Sequence, residues 1–277
     1  MKLLHLSDLH IGKGETRLKE KKEAKEIVDS IVTKWGKDKD KPIVIITGDI
    51  VDDGQEKEFK QARDILQPLR DNDFQPVIIP GNHDYGWNGS HARAKSFRLF
   101  KKYLYGIDNR ITYPDVPIST DQATVIALNS MKAETGFWEG LLADGELGNK
   151  QLDDLGEIIE VTRTEKGKDH TIVVALHHHP FLFPDDSLFE IIGEWIGHYL
   201  RDGDDLMKII KDRIEVLIFG HEHRHIDFSK DFPKHNLTKK YRIPVILSNG
   251  KSTEKTHPAR LINIKDAKHI SVEDIHL

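Results

Sequence analysis

Short apolar runs recur along the chain, and several end abruptly at an acid or a histidine. Residues 43–47, 77–80, 171–176 and 216–219 show almost no polar alternation, the pattern of strands buried on both faces. Residues 2–6 read as a further strand at the start. Longer amphipathic or mixed stretches separate them. Residues 17–35 predict a helix with Ile27, Val28, Ile31 and Val32 on one side and a charged, solvated run at 19–26. Residues 56–69, 96–105, 148–161, 188–200 and 204–211 also predict helices. Residues 123–128, 244–248, 259–264 and 269–273 predict strands.

The order matters more than the inventory. Strand and helix alternate through the first half, which argues a parallel sheet with crossover helices. Strands joined by short loops dominate the last third, which argues mixed or antiparallel pairing. The expectation is α/β layering around two sheets. The chain has no internal repeat, low-complexity tract or Pro/Gly/Ser linker, so residues 1–277 read as one domain.

The strand ends carry the chemistry. The blocks are Asp8-Leu9-His10, Gly48-Asp49 with Asp52, Gly81-Asn82-His83-Asp84, His177-His178-His179 and Gly220-His221-Glu222-His223. Side chains at the carboxyl ends of parallel strands face one crevice, so these blocks can meet. All the donors are oxygen or nitrogen, a set that suits transition metals of intermediate hardness. Each block alone has a plainer reading. Asp8 and His10 could be a capping acid and a solvent histidine, and Asp49 a helix cap. Asn82 could be a turn residue, and His83 and Asp84 surface neighbours. His177, His178 and His179 compete for one ligand position. His5, His91, His170, His198, His225, His235, His257, His269 and His276 fall in no block and read as surface or satisfied polar histidines.

Taken in order, the five blocks resemble the calcineurin-like metallophosphoesterase superfamily over about residues 3–225. Length and the His177–Pro180 block look most like its bacterial branch of class III cyclic-nucleotide phosphodiesterases and glycerophosphodiesterases. The resemblance implies a four-layer αββα sandwich with two mixed β-sheets. It implies a first metal on Asp8, His10, Asp49 and His223, and a second on Asp49, Asn82, His177 and His221. It makes His83 and Asp84 a catalytic pair, with the carboxylate fixing the imidazole tautomer. Asn129-Ser130 departs from the Asp-Ser of many relatives, at a position that is not a ligand.

Composition narrows the remainder. The chain has 41 Lys and Arg against 46 Asp and Glu, a formal charge of −5, and no long basic block, which argues against nucleic acid as a partner. It has no cysteine, hence no disulfide or thiolate site. No signal-peptide h-region or membrane-length apolar run is present, so a cytoplasmic protein is expected. The implied activity is hydrolysis of a small phosphodiester by a hydroxide bridging two ions of Mn, Fe or Zn. A nuclease, a phosphomonoesterase or protein phosphatase, and a non-catalytic scaffold are the alternatives. The aromatic stretch 184–201, with Trp195, matches no block. It reads as core packing, as a wall of the site or as a homodimer interface.

Overall fold

The computed structural model describes residues 1–12, 15–86, 94–105, 112–131, 145–183, 200–232, 236–254 and 258–277. Two β-sheets form its centre. The first runs β11 (His269–Ile275), β10 (Ala259–Asp266), β1 (Lys2–Leu6), β2 (Ile43–Thr47), β3 (Val77–Ile79). The second runs β4 (Asp115–Ser119), β5 (Ala123–Ala127), β6 (Thr171–Ala175), β7 (Val216–Phe219), β9 (Val245–Ser248), β8 (Ile226–Asp227). β1, β2 and β3 are parallel, as are β5, β6, β7 and β9, while β10, β11, β4 and β8 add antiparallel edges. Both sheets are therefore mixed.

The period-two alternation of each strand assigns the layers. On β1 and β2, Leu4, Leu6, Val44 and Ile46 pack with α1 (Glu15–Trp35), α2 (Glu56–Asp71) and α4 (Ala94–Leu104). Their neighbours Leu3 and Ile45 turn the other way and join Val125, Val173, Ala175, Val216 and Ile218 of the second sheet. On that sheet Ile172, Val174, Leu217 and Phe219 face α5 (Asn149–Lys166), α6 (Gly203–Ile210) and α7 (Leu237–Tyr241). Three apolar clusters thus separate four layers, and the fold is the αββα sandwich. Among the described residues no helix is long and apolar enough to cross a membrane.

Local sequence explains most boundaries. At the start of α2, Glu58 accepts the Gln55 backbone N–H at 3.1 Å and the Asp53 N–H at 3.0 Å, which fixes the segment leading in from Asp52. The helix α5 continues to Lys166, past the expected end at 161, because Thr162 still packs inward while the positions after it are polar. The strand β4 was not expected. It contains Pro117, which belongs on an edge strand because it cannot donate to a ladder. Of the expected helix 188–200 only Leu200 is described, in an isolated bridge with Gly145. Trp195 and the rest of that stretch lie outside the described residues, as do His91, His198, His235 and His257.

One histidine lies inside the sandwich. His5 shares the inter-sheet face with Leu3, is fully buried, and places Nε2 2.8 Å from Thr47 Oγ1. Burial, then the positive charge of Arg260 and the nearby His225, lowers its pKa from 6.5 to about 3. In the unfolded chain His5 takes a proton below about 6.5, whereas the folded chain refuses it until about 3. Its contribution to stability is therefore complete above 6.5 and is lost as pH falls toward 3, with a limiting slope of about 1.4 kcal/mol per pH unit. Urea unfolding at pH 7, 6 and 5 should show a shallower decline in His5→Gln than in the parent. Equal declines would show that His5 does not couple folding to protons.

Candidate metal centre

The five blocks converge at the carboxyl edges of the two sheets. Backbone ties hold their loops together: Asp8 N–H donates to Gly48 O at 3.1 Å, His10 N–H to Asp49 O at 2.9 Å, and Gly220 N–H to His177 O at 3.0 Å. Asp8 and His10 lie on a tightly turned segment rather than an extended one. Each has a positive φ, 55° and 47°, as do Asp49, His221 and His223 at 51°, 78° and 52°. Among the described residues, five of the nine non-glycine positions with positive φ are thus in this one site. Such backbone costs on the order of 1–3 kcal/mol per residue and tends to persist where surrounding structure demands it.

The side chains form two clusters that share Asp49. In the first, His10 Nε2 lies 2.9 Å from His223 Nε2, and Asp8 Oδ1 is 3.4 Å from His223 Nε2. In the second, His177 Nε2, Asn82 Oδ1 and His221 Nδ1 sit 2.9–3.2 Å apart. Asp49 Oδ2 is 3.8 Å from His10 Nε2 and 3.4 Å from His177 Nε2, between the two. One ligand atom from each of Asp8, His10 and His223, or of Asp49, His177 and His221, falls within 4.8 Å of the others. A third such group, His10, Asp49 and His83, overlaps both.

These separations fit ions. Donors about 2.0–2.2 Å from one cation stand ~3.0–3.5 Å from each other in tetrahedral or octahedral shells. Two imidazole nitrogens at 2.9 Å make a poor mutual contact unless one carries a proton, but both lone pairs suit a common cation. Asp8 Oδ1 is buried and makes no hydrogen bond. The electrostatics point the same way. Burial opposes charge on Asp49 and Asp8, yet the surrounding imidazoles hold both below the usual carboxylate range, Asp49 well below. Burial also opposes charge on His177 and His223, yet Asp49 raises the first to about 9 and Asp8 raises the second. Burial keeps His10 and His221 neutral-leaning. Asp49 and Asp8 thus each favour the protonated form of a neighbouring imidazole, and a divalent cation would replace such a proton.

Around the clusters, supporting groups set tautomers. His177 Nδ1 is 2.7 Å from the Thr47 carbonyl, so Nδ1 carries the hydrogen and Nε2 faces Asn82 and Asp49. His83 Nδ1 similarly lies 2.7 Å from the Asp52 carbonyl, and the Asp52 carboxylate is 3.6 Å from His10 Nδ1. Asp52 belongs to the motif, but the sequence reading gave it no role. The expected pairing of Asp84 with the His83 imidazole is corrected. Both residues lie on the short helix α3 (Asn82–Tyr85), and adjacent residues on a helical turn do not face each other. The buried Asp84 carboxylate instead accepts backbone N–H groups of Gly81, Val51 and Ile50 at 2.9, 3.0 and 3.3 Å. Burial and then the charge of Asp49 raise it to about 7 against those bonds. It binds the Asp49 and Asn82 loops to each other.

Of the three consecutive histidines, only His177 reaches Asp49 and Asn82. His178 Nδ1 is 2.7 Å from Ser130 Oγ, and its ring lies against His221 with centroids 4.4 Å apart. His179 packs on Phe183. Asn129 donates to the Tyr85 hydroxyl at 2.8 Å, behind the turn that carries His83 and away from the ligand atoms.

The calcineurin-like phosphoesterase family matches residues 1–225. A probable cyclic nucleotide phosphodiesterase of Coxiella burnetii is 24% identical over 233 residues, 83% of this chain and 78% of that protein. One of Rhodococcus erythropolis is 27% identical over 232 residues, 80% and 64% respectively. Yellow lupin purple acid phosphatase superposes with a TM-score of 0.58 at 12% identity, and the 5'-nucleotidase precursor of Thermus thermophilus with 0.54 at 14%. They cover 99% and 100% of this chain, which spans only 52% and 54% of theirs, and at these identities they support the fold alone.

Two glycines make the convergence possible. Gly48 has φ +90°, and a Cβ there would meet His177 Nδ1 at 2.4 Å. A Cβ on Gly81 would lie 2.3 Å from Asp49 Oδ1 and 2.9 Å from His177 Cε1. Gly81→Ala must therefore displace the shared carboxylate. Calorimetric titration with Mn²⁺ or Zn²⁺ should show affinity reduced ~10–100-fold, the range for disturbed ligand support. Parental affinity in a folded Gly81→Ala protein would refute the placement of Asp49 between the ions.

Proposed function

This chain belongs to the calcineurin-like phosphoesterase family, and from that premise we propose that it hydrolyses small phosphodiesters of cyclic-nucleotide or glycerophosphodiester type. The carrying observation is the pair of donor clusters sharing Asp49, with His83 beside them. In this reading Asp8, His10, Asp49 and His223 hold one ion, and Asp49, Asn82, His177 and His221 hold the other. The mixed carboxylate, amide and imidazole set suits Mn, Fe or Zn. When bound, two such ions polarise a phosphoryl oxygen, lower the pKa of water and clamp the reacting oxygens.

The residues prepare the rest. Thr47 O and Asp52 O fix the ring hydrogens of His177 and His83 at Nδ1. That leaves Nε2 of His83 free to carry a second ring proton and to donate it to the leaving alkoxide, which leaves the ring neutral with its hydrogen at Nδ1. The backbone N–H of His83 donates to Asp49 Oδ1 at 2.9 Å, which ties the acid–base group to the shared carboxylate. Asp8 Oδ2 accepts the His221 N–H at 3.2 Å, which ties the β1 loop to the β7 loop. The substrate class is supported by the names of the Coxiella and Rhodococcus relatives and by the acidic net charge.

The reading is tested on metal-reconstituted protein with phosphomonoesters, cyclic nucleotides, glycerophosphodiesters and single-stranded DNA. Small diesters should be cleaved fastest, chelation should abolish turnover, and about two ions per chain should restore it. Turnover in a demonstrably metal-free sample would refute the two-ion mechanism. Preference for a monoester, or for DNA with steep salt sensitivity, would reassign the substrate.

His83→Ala separates catalysis from ligation. It should retain both ions and lose on the order of 10²–10⁴-fold in rate, the usual contribution of a positioned acid–base group. Loss of an ion in this variant, measured by elemental analysis, would make His83 a ligand instead.

A further inference from the structure

Asn249 follows β9, belongs to none of the motif blocks, and is fully buried. Its polar groups reach both loops that carry the first cluster. Its backbone N–H donates to Phe219 O at 2.9 Å. Its side-chain Nδ2 donates to His5 O at 3.1 Å and, at longer range, to Ser252 Oγ at 3.4 Å. Its Oδ1 lies 2.9 Å from His225 Nδ1. Phe219 and His225 flank the Gly220–His223 block, and His5 leads into Asp8 and His10.

The residues that follow extend the same tie. Ser252 N–H donates to Ser7 O and Ser252 Oγ accepts the Ser7 N–H, both at 2.9 Å. Thr253 Oγ1 reaches Leu9 O at 3.5 Å. Asp8, His10 and His223 come from these two loops, and their donor atoms meet across them with no covalent link. The left-handed backbone at Asp8, His10, His221 and His223 gives each loop reason to relax if released.

We propose that Asn249 is a positioning residue that locks the β1 and β7 loops together and thereby sets the ion affinity of the half-site built from Asp8, His10 and His223. The proposal rests on the two-ion reading above. An amide is required because one end must donate to a carbonyl while the other accepts from an imidazole N–H. Aspartate keeps the shape and loses the donor, and alanine loses both. Asn82, His177 and Asp49 sit on loops that these bonds do not touch, and His221 is the one second-ion donor on a tied loop, held also by its contacts with Asn82 and His177, so the second half-site should be weakened far less.

The test uses the full chain, stripped of metal and titrated calorimetrically with Mn²⁺ or Zn²⁺, with melting of the ion-free protein followed in parallel. The parent should bind two ions. Asn249→Asp should weaken one of the two by about 10–100-fold, the range seen when support behind a ligand is lost, and leave the other within about threefold. Its turnover should return when the free metal concentration is raised. Should Asn249→Asp fail to fold, Ser252→Ala removes a single tie and should weaken the same ion by a smaller factor. A folded variant with lowered melting temperature but both parental affinities would overturn the proposal, as would equal weakening of both ions. A parent that binds no ion would overturn the two-ion reading itself, a result distinct from either.

Discussion

Two carboxylates buried beyond the reach of bulk water govern this site. Asp8 and Asp49 are essentially inaccessible, and an isolated buried charge is costly. The nearest compensation is imidazole. His223 stands by Asp8 and His177 by Asp49, each held more basic than in solution despite its own burial. At His10 and His221 burial outweighs the neighbouring carboxylates and pushes both toward neutrality. The result is a centre in which buried carboxylates and imidazole nitrogens crowd together. Its arrangement is most readily satisfied by cations.

The sandwich supplies the rigidity that such a centre needs. Apolar residues fill the space between the sheets up to Ile45 and Ile218, and polar ones take over at His5, Thr47 and Ser7. Thr47 marks the transition. Its hydroxyl bonds within the buried polar layer, and its carbonyl orients His177 of the opposite sheet. The core and the site therefore share a residue, and the placement of β2 against β6 bears directly on the orientation of the His177 ring.

Much of this was legible in the sequence because the strands end where the chemistry begins. The apolar runs before Asp49, Asn82, His177 and His221 all form strands, and the alternation along them assigns the layers. What was not legible depends on tertiary pairing. Asp84 follows His83 in the chain, yet its carboxylate serves the backbone of two other loops. Asn249 and Ser252 lie past the last motif in an unremarkable stretch, and only the folding of β9 beside β7 brings them under the first loop. The β4 strand was hidden by Pro117, and α3 is too short to show a helical period.

The left-handed backbone at Asp8, His10, Asp49, His221 and His223 narrows the chemistry open to these positions. Among non-glycine residues, aspartate, asparagine and histidine tolerate this conformation best, and β-branched or bulky side chains do so worst. Donor identity and torsion thus select the same few amino acids. A redesign of this candidate centre toward a chosen metal cannot draw freely on glutamate or longer donors at these positions without rebuilding the turns beneath them. The alphabet available for retuning the centre is set as much by φ as by coordination.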